Sequence, residues 1–365
     1  MEMNIQEITQ NLKDFIINEL LDGEEMGLEV DTPLLEWGIL DSLSMVSLLA
    51  FIEENLGIQV PSKEVKPENF DNLQAITNLL DVLSKEKQQE KKEQELTPVA
   101  HTGTMVQVLT SYGVRSDIIE LPTADHHVLR TSGKKPTWVL LPALGNPSTS
   151  WGEFLRMLIN EQEVVSIDLV GFGLSASYRS QPYSYEEHLE EEIQVLQKID
   201  QNPIVLVCSS VTALIGTAIA RRHPERIKAL IILGFGLVED PNAWCQEMKQ
   251  ISKSLEQYLN STYYKAPKLV APLQMLLTES FKQPAYNSFL QNLEIPMKTA
   301  FDNIDVPTLL IAGEDDQLIS KASVSAAAAK IAGSQAVFLA RCGHFPQVER
   351  TQETLVLIQK FLKDI

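Results

Sequence analysis

Residues 203–233 read PIVLVCSSVTALIGTAIARRHPERIKALIIL, and the order of elements in that stretch decides the fold of most of the chain. Residues 204–208 form an apolar, β-branched run of strand length, two serines follow it, helical spacing continues to His223-Pro224, and 229–233 form a second apolar run. A strand that turns sharply into a helix strains and crowds its backbone. The positions two before and two after the side chain presented at the turn must therefore be small. Three registers compete: Ser209 would be flanked by Val207 and Val211, Cys208 by Leu206 and Ser210, and Ser210 by Cys208 and Thr212. Only Ser210 avoids a bulky aliphatic flank, which makes it the candidate nucleophile.

The same alternation extends on both sides. Short apolar runs at 137–141, 164–169, 308–312 and 336–339 are separated by helical stretches, and 117–121 with 127–131 suit a hairpin at the front edge. This pattern predicts a mostly parallel sheet covered by helices. Strands stop at about 237–301, where Trp244, Met248, Ile251, Leu255 and Leu259 keep helical spacing, so a helical cap insertion is expected there.

The segment around Ser210 resembles the α/β-hydrolase family, whose Gly-x-Ser-x-Gly turn is here Cys208-Ser209-Ser210-Val211-Thr212, with both glycines replaced. The resemblance implies an acid at Asp316, in Gly313-Glu314-Asp315-Asp316 after the run 308–312, and a histidine at His344, in Arg341-Cys342-Gly343-His344-Phe345-Pro346 after the last run. The chain order Ser, Asp, His is the family's order. Taken singly, Asp316 also suits a turn and His344 a surface loop; their joint placement after the right strands is what singles them out. The other histidines, His101, His126, His127, His188 and His223, lack this setting. By alignment, oxyanion donors would be the backbone N–H groups of Val211 and of Leu144, in Pro142-Ala143-Leu144-Gly145. Gly171-Phe172-Gly173 lacks a third glycine and an acidic ribose partner, and reads as a tight turn, not a nucleotide loop.

Upstream, every periodic segment reads as helix: Ile5, Ile8, Leu12, Phe15 and Ile16; Met45, Leu49, Ile52 and Leu56; Ile76, Leu79, Leu80 and Leu83. The stretch SKEKQQEKKEQELTPV at 84–99 is charged, Gln-rich and free of aromatics, as a solvated linker is. The expected division is an all-α four-helix domain at 1–85, a linker at 86–100 and the α/β domain at 101–365. Ser42 opens a helix and on that ground alone is a cap, a role that Asp41 beside it also suits. Yet LLEWGILDSLSMVSLLAFIEENLGIQVP at 34–61, with VKPENFDNLQAITNLL at 65–80, closely resembles the acyl and peptidyl carrier protein family. That resemblance implies covalent 4′-phosphopantetheine on Ser42, with a phosphopantetheinyl transferase and an acyl-loading enzyme or upstream synthase module as partners.

Bulk properties bound the rest. The 365 residues, 44% hydrophobic and 22% charged, suit two globular domains. A net charge of −19 disfavours nucleic acid as a partner. Between Met1 and Lys85, 17 Asp and Glu face 4 Lys, so −13 of that charge falls in the first domain, suiting basic partner surfaces. The polar, acidic beginning and the absence of a long uncharged apolar run predict a cytoplasmic protein without membrane association. Cys208, Cys245 and Cys342 show no metal spacing and no disulfide framework, so no metal is expected.

These features predict a carrier-linked serine hydrolase that releases or transfers an acyl chain from a phosphopantetheine thioester, in polyketide, non-ribosomal peptide or fatty-acid-type biosynthesis. Two alternatives stay open. One is an esterase acting within a carrier-bound acyl chain; the other is a non-catalytic docking protein of hydrolase fold, suggested by Cys208, Thr212 and Pro142-Ala143.

Overall fold

In the computed structural model the described residues are 5–25, 27–61, 64–86, 98–178, 180–269 and 271–365. They form two compact units, Met1–Gly113 with Lys268–Leu276, and Val114–Pro267 with Leu277–Ile365.

The smaller unit is helical. Helix α1 (Ile5–Phe15) runs on through a π turn at Ile16–Leu20; α2 (Ser42–Leu56), α3 (Leu73–Glu86) and α4 (Pro98–Ser111) follow. Their apolar stripes meet in one core, with Leu12, Ile16, Leu34, Phe70, Ile76 and Leu80 fully buried. Gly57 ends α2 in the left-handed region, at φ 64°, where a side chain would be strained. The unit differs from the sequence expectation at its far end. Most of the expected linker, 87–97, lies outside the described residues, but the residues after it form α4, whose Met105 and Val108 are buried in this core. An apolar stripe with spacing of three behind a charged run carries no mark of which core it will join, so the second unit begins at Val114 and not at 101.

The larger unit is built on a nine-stranded sheet: β1 (Arg115–Glu120), β2 (Ala124–Arg130), β3 (Lys134–Leu141), β4 (Gln162–Ile167), β5 (Ala176–Ser177), β6 (Ile204–Ser209), β7 (Ile227–Leu233), β8 (Thr308–Gly313) and β9 (Gln335–Leu339). The order is β1-β2-β4-β3-β6-β7-β8-β9, with β5 on β2; pairs from β4 to β9 are parallel, and those of β2 are antiparallel. Strands β6 and β8 are buried along their whole length, as Val-, Ile- and Leu-rich runs covered on both faces must be. The helices after β3 are α5 (Gly152–Leu158), α6 (Tyr185–Ile199), α7 (Ala213–Arg222), α8 (Pro241–Ile251), α9 (Leu255–Thr262), α10 (Ala271–Lys282), whose first half falls in the smaller unit, α11 (Pro284–Phe289), α12 (Glu294–Lys298), α13 (Lys321–Lys330), α14 (Pro346–Glu349) and α15 (Thr351–Lys363). Helices α8 to α12 fill the gap between β7 and β8, where a helical insertion is expected.

Chain order in the sheet reverses at β3. From there the chain steps outward to β4, then returns to β6 on the other side, so the turns leaving β3 and β6 open side by side. Their register sets Leu141 opposite Cys208, which brings the loop of Leu144 next to the turn of Ser210.

Candidate active site and carrier serine

Ser210 has φ +57°, a left-handed conformation that costs a non-glycine residue energy and is held only by what surrounds it. The turn tolerates its two unusual flanks for visible reasons. Cys208 is fully buried, and its thiol occupies space left by Gly216 on α7, where an added Cβ would overlap the sulfur. Thr212 is fully buried too, and its hydroxyl donates to the Ser209 carbonyl at 2.7 Å, so the extra polar group is satisfied. Burial pushes the Cys208 thiol far above its ordinary range, which leaves it without nucleophilic character.

The three residues singled out from sequence converge. His344 Nε2 lies 2.7 Å from Ser210 Oγ, and His344 Nδ1 lies 2.8 Å from Asp316 Oδ2. The other carboxylate oxygen, Oδ1, accepts from the backbone N–H groups of Leu318 and Ile319 at 2.9 and 3.1 Å, so Asp316 is fixed as an acceptor. His344 is 1% exposed and Ser210 4%, so their hydrogen bonds sit in a low-dielectric setting where they are strong. The histidine loop is stitched to the acid loop by Asp315 N–H donating to Cys342 O, a close approach possible because Gly313 has no side chain to strike that carbonyl. Leu144 and Val211 line the same small cavity as Ser210 and His344, together with side chains from the cap. The geometry is that of an activated hydroxyl: base within hydrogen-bond reach, base oriented by an acid, backbone donors nearby.

Several supporting residues escaped sequence reading. Gln347 Nε2 donates to Ser209 Oγ at 2.8 Å, bracing the turn from the histidine side. Glu349 accepts from Gly343 N at 3.0 Å and from Tyr264 N at 2.8 Å. Asp168 accepts from Ser148 N and Leu174 N and lies 2.7 Å from His127 Nδ1, so His127 has a carboxylate partner that its sequence neighbourhood did not suggest. The Gly171-Phe172-Gly173 turn serves this knot, since a side chain at Gly173 would overlap the Asp168 carboxylate. A buried polar residue at the end of an apolar strand, as Asp168 is, was the available signal. Among the described residues, no group of three or more His, Cys, Asp or Glu is placed to hold a metal ion.

In the smaller unit Ser42 is the first residue of α2. The cap is Asp41, whose Oδ1 accepts from Leu43 N at 3.0 Å and Ser44 N at 2.7 Å, while Ser44 Oγ accepts from Asp41 N. Asp41 thus caps α2, and the first position of this helix stands at its positive end, where a phosphodiester is favoured.

Residues 138–356 match the model of the alpha/beta hydrolase family, and residues 16–80 match that of the phosphopantetheine attachment site. The 2-hydroxymuconate semialdehyde hydrolase of Pseudomonas sp. strain CF600 is 24% identical over 254 residues, covering 65% of this chain and 90% of that protein. Monoacylglycerol lipase ABHD6 of Bos taurus is 23% identical over 259 residues, covering 64% of this chain and 77% of the lipase. Among solved structures, a membrane phospholipase A described as a bacterial virulence factor superposes with a TM-score of 0.64 at 24% identity, over 80% of this chain and 97% of its own. The 2-hydroxy-6-oxo-6-phenylhexa-2,4-dienoate hydrolase of a Rhodococcus strain, RHA1, gives 0.59 at 16% identity, over 68% and 99%. Structural likeness at such identity shows the fold. A phosphopantetheine attachment domain implies covalently bound 4′-phosphopantetheine. With an alpha/beta sheet carrying Ser210 at its central turn and a family match across 138–356, the chain belongs to the alpha/beta hydrolase family and joins that domain to a phosphopantetheine attachment domain.

Proposed function

We propose that this protein is a serine hydrolase that releases or transfers an acyl group presented on a carrier, with Ser210 as nucleophile, His344 as base and Asp316 as its orienting acid. The observation that carries the reading is the unbroken relay from Asp316 through His344 to Ser210, on a turn strained to hold the hydroxyl up. Ser42 is the attachment residue, with Asp41 holding its helix end. When bound, the 4′-phosphopantetheine arm supplies a thiol that carries the acyl group as a thioester.

Ser210 Oγ attacks the acyl carbon of the ester or thioester while its proton passes to His344 Nε2. The carbonyl electron pair moves to oxygen, which the N–H groups of Val211 and Leu144 hold. Asp316 stabilises the imidazolium. Collapse of the adduct expels the leaving group, which takes the proton from His344. Water or another acceptor then gives a proton to His344 and attacks the Ser210 ester, and the returned proton restores the serine. Covalent union with a carrier raises the local concentration of substrate, which makes an acyl thioester the favoured donor. Lipase names among the relatives support a second reading, hydrolysis of an oxygen ester within the acyl group, by the same residues.

Intact-protein mass spectrometry decides between these. The full chain is loaded by a phosphopantetheinyl transferase with acyl-coenzyme A donors, comparing wild type, Ser42→Ala and Ser210→Ala. Ser42→Ala is expected to gain no mass, and Ser210→Ala to keep the acyl group that wild type loses. Equal decay of both loaded forms would end the thioesterase reading. A fluorophosphonate that labels wild type but not Ser210→Ala reports the nucleophile independently of substrate.

A further inference from the structure

A second serine, histidine and aspartate stand in line on the antiparallel side of the sheet. Ser116 Oγ lies 2.9 Å from His127 Nε2, and His127 Nδ1 lies 2.7 Å from Asp168 Oδ2, against 2.7 and 2.8 Å for the corresponding bonds at Ser210. The sheet builds this row. Register sets Ile118 of β1 opposite His127 of β2, the Asp168 N–H donates to the His127 carbonyl at 3.0 Å from the β4 side, and Ser116, two residues from Ile118 on the same face, reaches the ring diagonally. Ser175 ties the junction, its hydroxyl accepting from the His127 N–H at 2.9 Å and donating to the Asp168 carbonyl at 2.7 Å. Asp168 also takes the backbone N–H of Ser148 on Oδ1 and that of Leu174 on Oδ2, so its carboxylate serves as acceptor throughout. His127 Nδ1 therefore carries the proton, Nε2 keeps its lone pair, and the Ser116 hydroxyl donates to it. His127 is 2% exposed and Asp168 is fully buried, whereas Ser116 lies open to solvent on the edge strand.

A hydroxyl that donates to an imidazole oriented by a buried carboxylate is an activated nucleophile wherever it stands. We propose that Ser116 is a second acyl-accepting serine, a self-acylation site at which the His127–Asp168 pair draws an acyl group from a thioester in solution. Ser116 Oγ attacks the acyl carbon while its proton passes to His127 Nε2. The carbon–sulfur bond then breaks and the departing sulfur takes that proton, so that a Ser116 ester and a free thiol replace a hydroxyl and a thioester, with His127 neutral again. One part of the Ser210 machinery has no counterpart here. Successive N–H groups of an extended strand point to opposite sides, so two of them do not converge on one oxygen as those of a turn can. Acylation at Ser116 should therefore run on the order of 100- to 1,000-fold slower than at a site with such donors, yet about 100-fold or more faster than at a serine without a base. The same lack favours thioesters, whose thiolate leaves readily, over oxygen esters. It also slows hydrolysis of the product, so Ser116 holds its acyl group where a turnover site would release it.

The test uses the full chain carrying Ser42→Ala and Ser210→Ala, which removes the other two acyl sites, incubated with acetyl-N-acetylcysteamine and followed by intact-protein mass spectrometry and peptide mapping. One acetyl group is expected on Ser116, released by alkaline hydroxylamine as an ester is and a lysine amide is not. Adding Ser116→Ala is expected to abolish it, and adding His127→Gln, which keeps a polar side chain and removes the base, to slow it about 100-fold. Acetylation of Ser116 at an equal rate with and without His127 overturns the assignment, as does acetyl found only on lysines or no acetyl at all. If His127→Gln does not fold, selectivity within the chain decides: Ser177, an exposed serine on β5, is expected to react about 100-fold more slowly than Ser116, and equal labelling of the two overturns the relay. Because Ser210 is absent from the tested chain, failure here leaves the hydrolase reading standing, and loss of that reading leaves Ser116 untouched.

Discussion

Cys208 and Gly216 show how a turn that departs from its family's pattern still closes. The usual small flank is replaced by a thiol, and the missing space reappears on the facing helix α7, where a Cβ at Gly216 would overlap the Cys208 sulfur and come within 3.2 Å of Leu230 Cδ1. Two effects of opposite sign act at this position. Alanine in a helix interior is favoured over glycine by about 1 kcal/mol, whereas overpacking a filled core costs about 1–3 kcal/mol. Overpacking should win, so Gly216→Ala is expected to destabilise the chain in urea unfolding. With Cys208→Ala present the sulfur is gone and only the 3.2 Å approach to Leu230 Cδ1 remains, so the same substitution should cost clearly less. Additive effects in that double-mutant cycle would mean that the two sites do not share the space. The register of Ser210 was legible because side-chain size at positions 208 and 212 is written in the sequence. The compensation at Gly216 was not, since a whole turn and the start of a helix separate it from Cys208 and only helix-on-strand packing joins them.

At the scale of elements, the loop that carries His344 depends on the short helix α14 behind it. Glu349, the last residue of α14, accepts from backbone N–H groups of this loop and of its neighbour, those of Gly343 and Tyr264 among them. Desolvation raises its carboxyl above the ordinary value even so, which marks it as a buried acceptor and not a solvated surface acid. Glu349→Ala would leave these donors unpaired, at a cost on the order of 1–3 kcal/mol, and would free the histidine loop. Labelling of Ser210 by a fluorophosphonate should slow on the order of 10-fold or more, because a base displaced by about an ångström loses its reach. Glu349→Gln retains one acceptor and should recover part of both losses. Unchanged labelling in the alanine variant would show that the loop is held by other bonds. Strands β3, β6, β7 and β8 were readable in advance because full burial demands continuous apolar runs. The pairing of Asp168 with His127 was not readable, because β2 and β4 are antiparallel neighbours that the chain reaches only after passing through β3.

At the scale of the whole molecule, the excess of acid is divided between surface and interior, and the interior part sets how stability responds to pH. Glu192 on α6 is buried, with neither carboxylate oxygen hydrogen-bonded among the described residues, and His126 on β2 lies 4.0 Å away. Burial, with Glu191 alongside, pushes the Glu192 carboxyl up to about 8, so the folded chain keeps a proton that the unfolded chain has already lost. Stability from this group is therefore full below its unfolded value of 4.5 and is lost as pH rises toward 8. His126 runs the opposite way: burial lowers its value below 6.5, against the bond it makes to Glu191, and stability falls as pH drops through that region. Net charge alone would not reveal either group, since a sequence shows 49 acids without saying which of them folding takes out of water. Glu192→Gln keeps the shape and removes the titration. Between pH 5.5 and 8.5 the variant should gain on wild type by on the order of 3 kcal/mol in urea unfolding, while His126, present in both chains, cancels from the difference. Parallel pH profiles for the two chains would mean that Glu192 is ionised in the folded protein and that a partner for it exists within the cluster of α6 and β2.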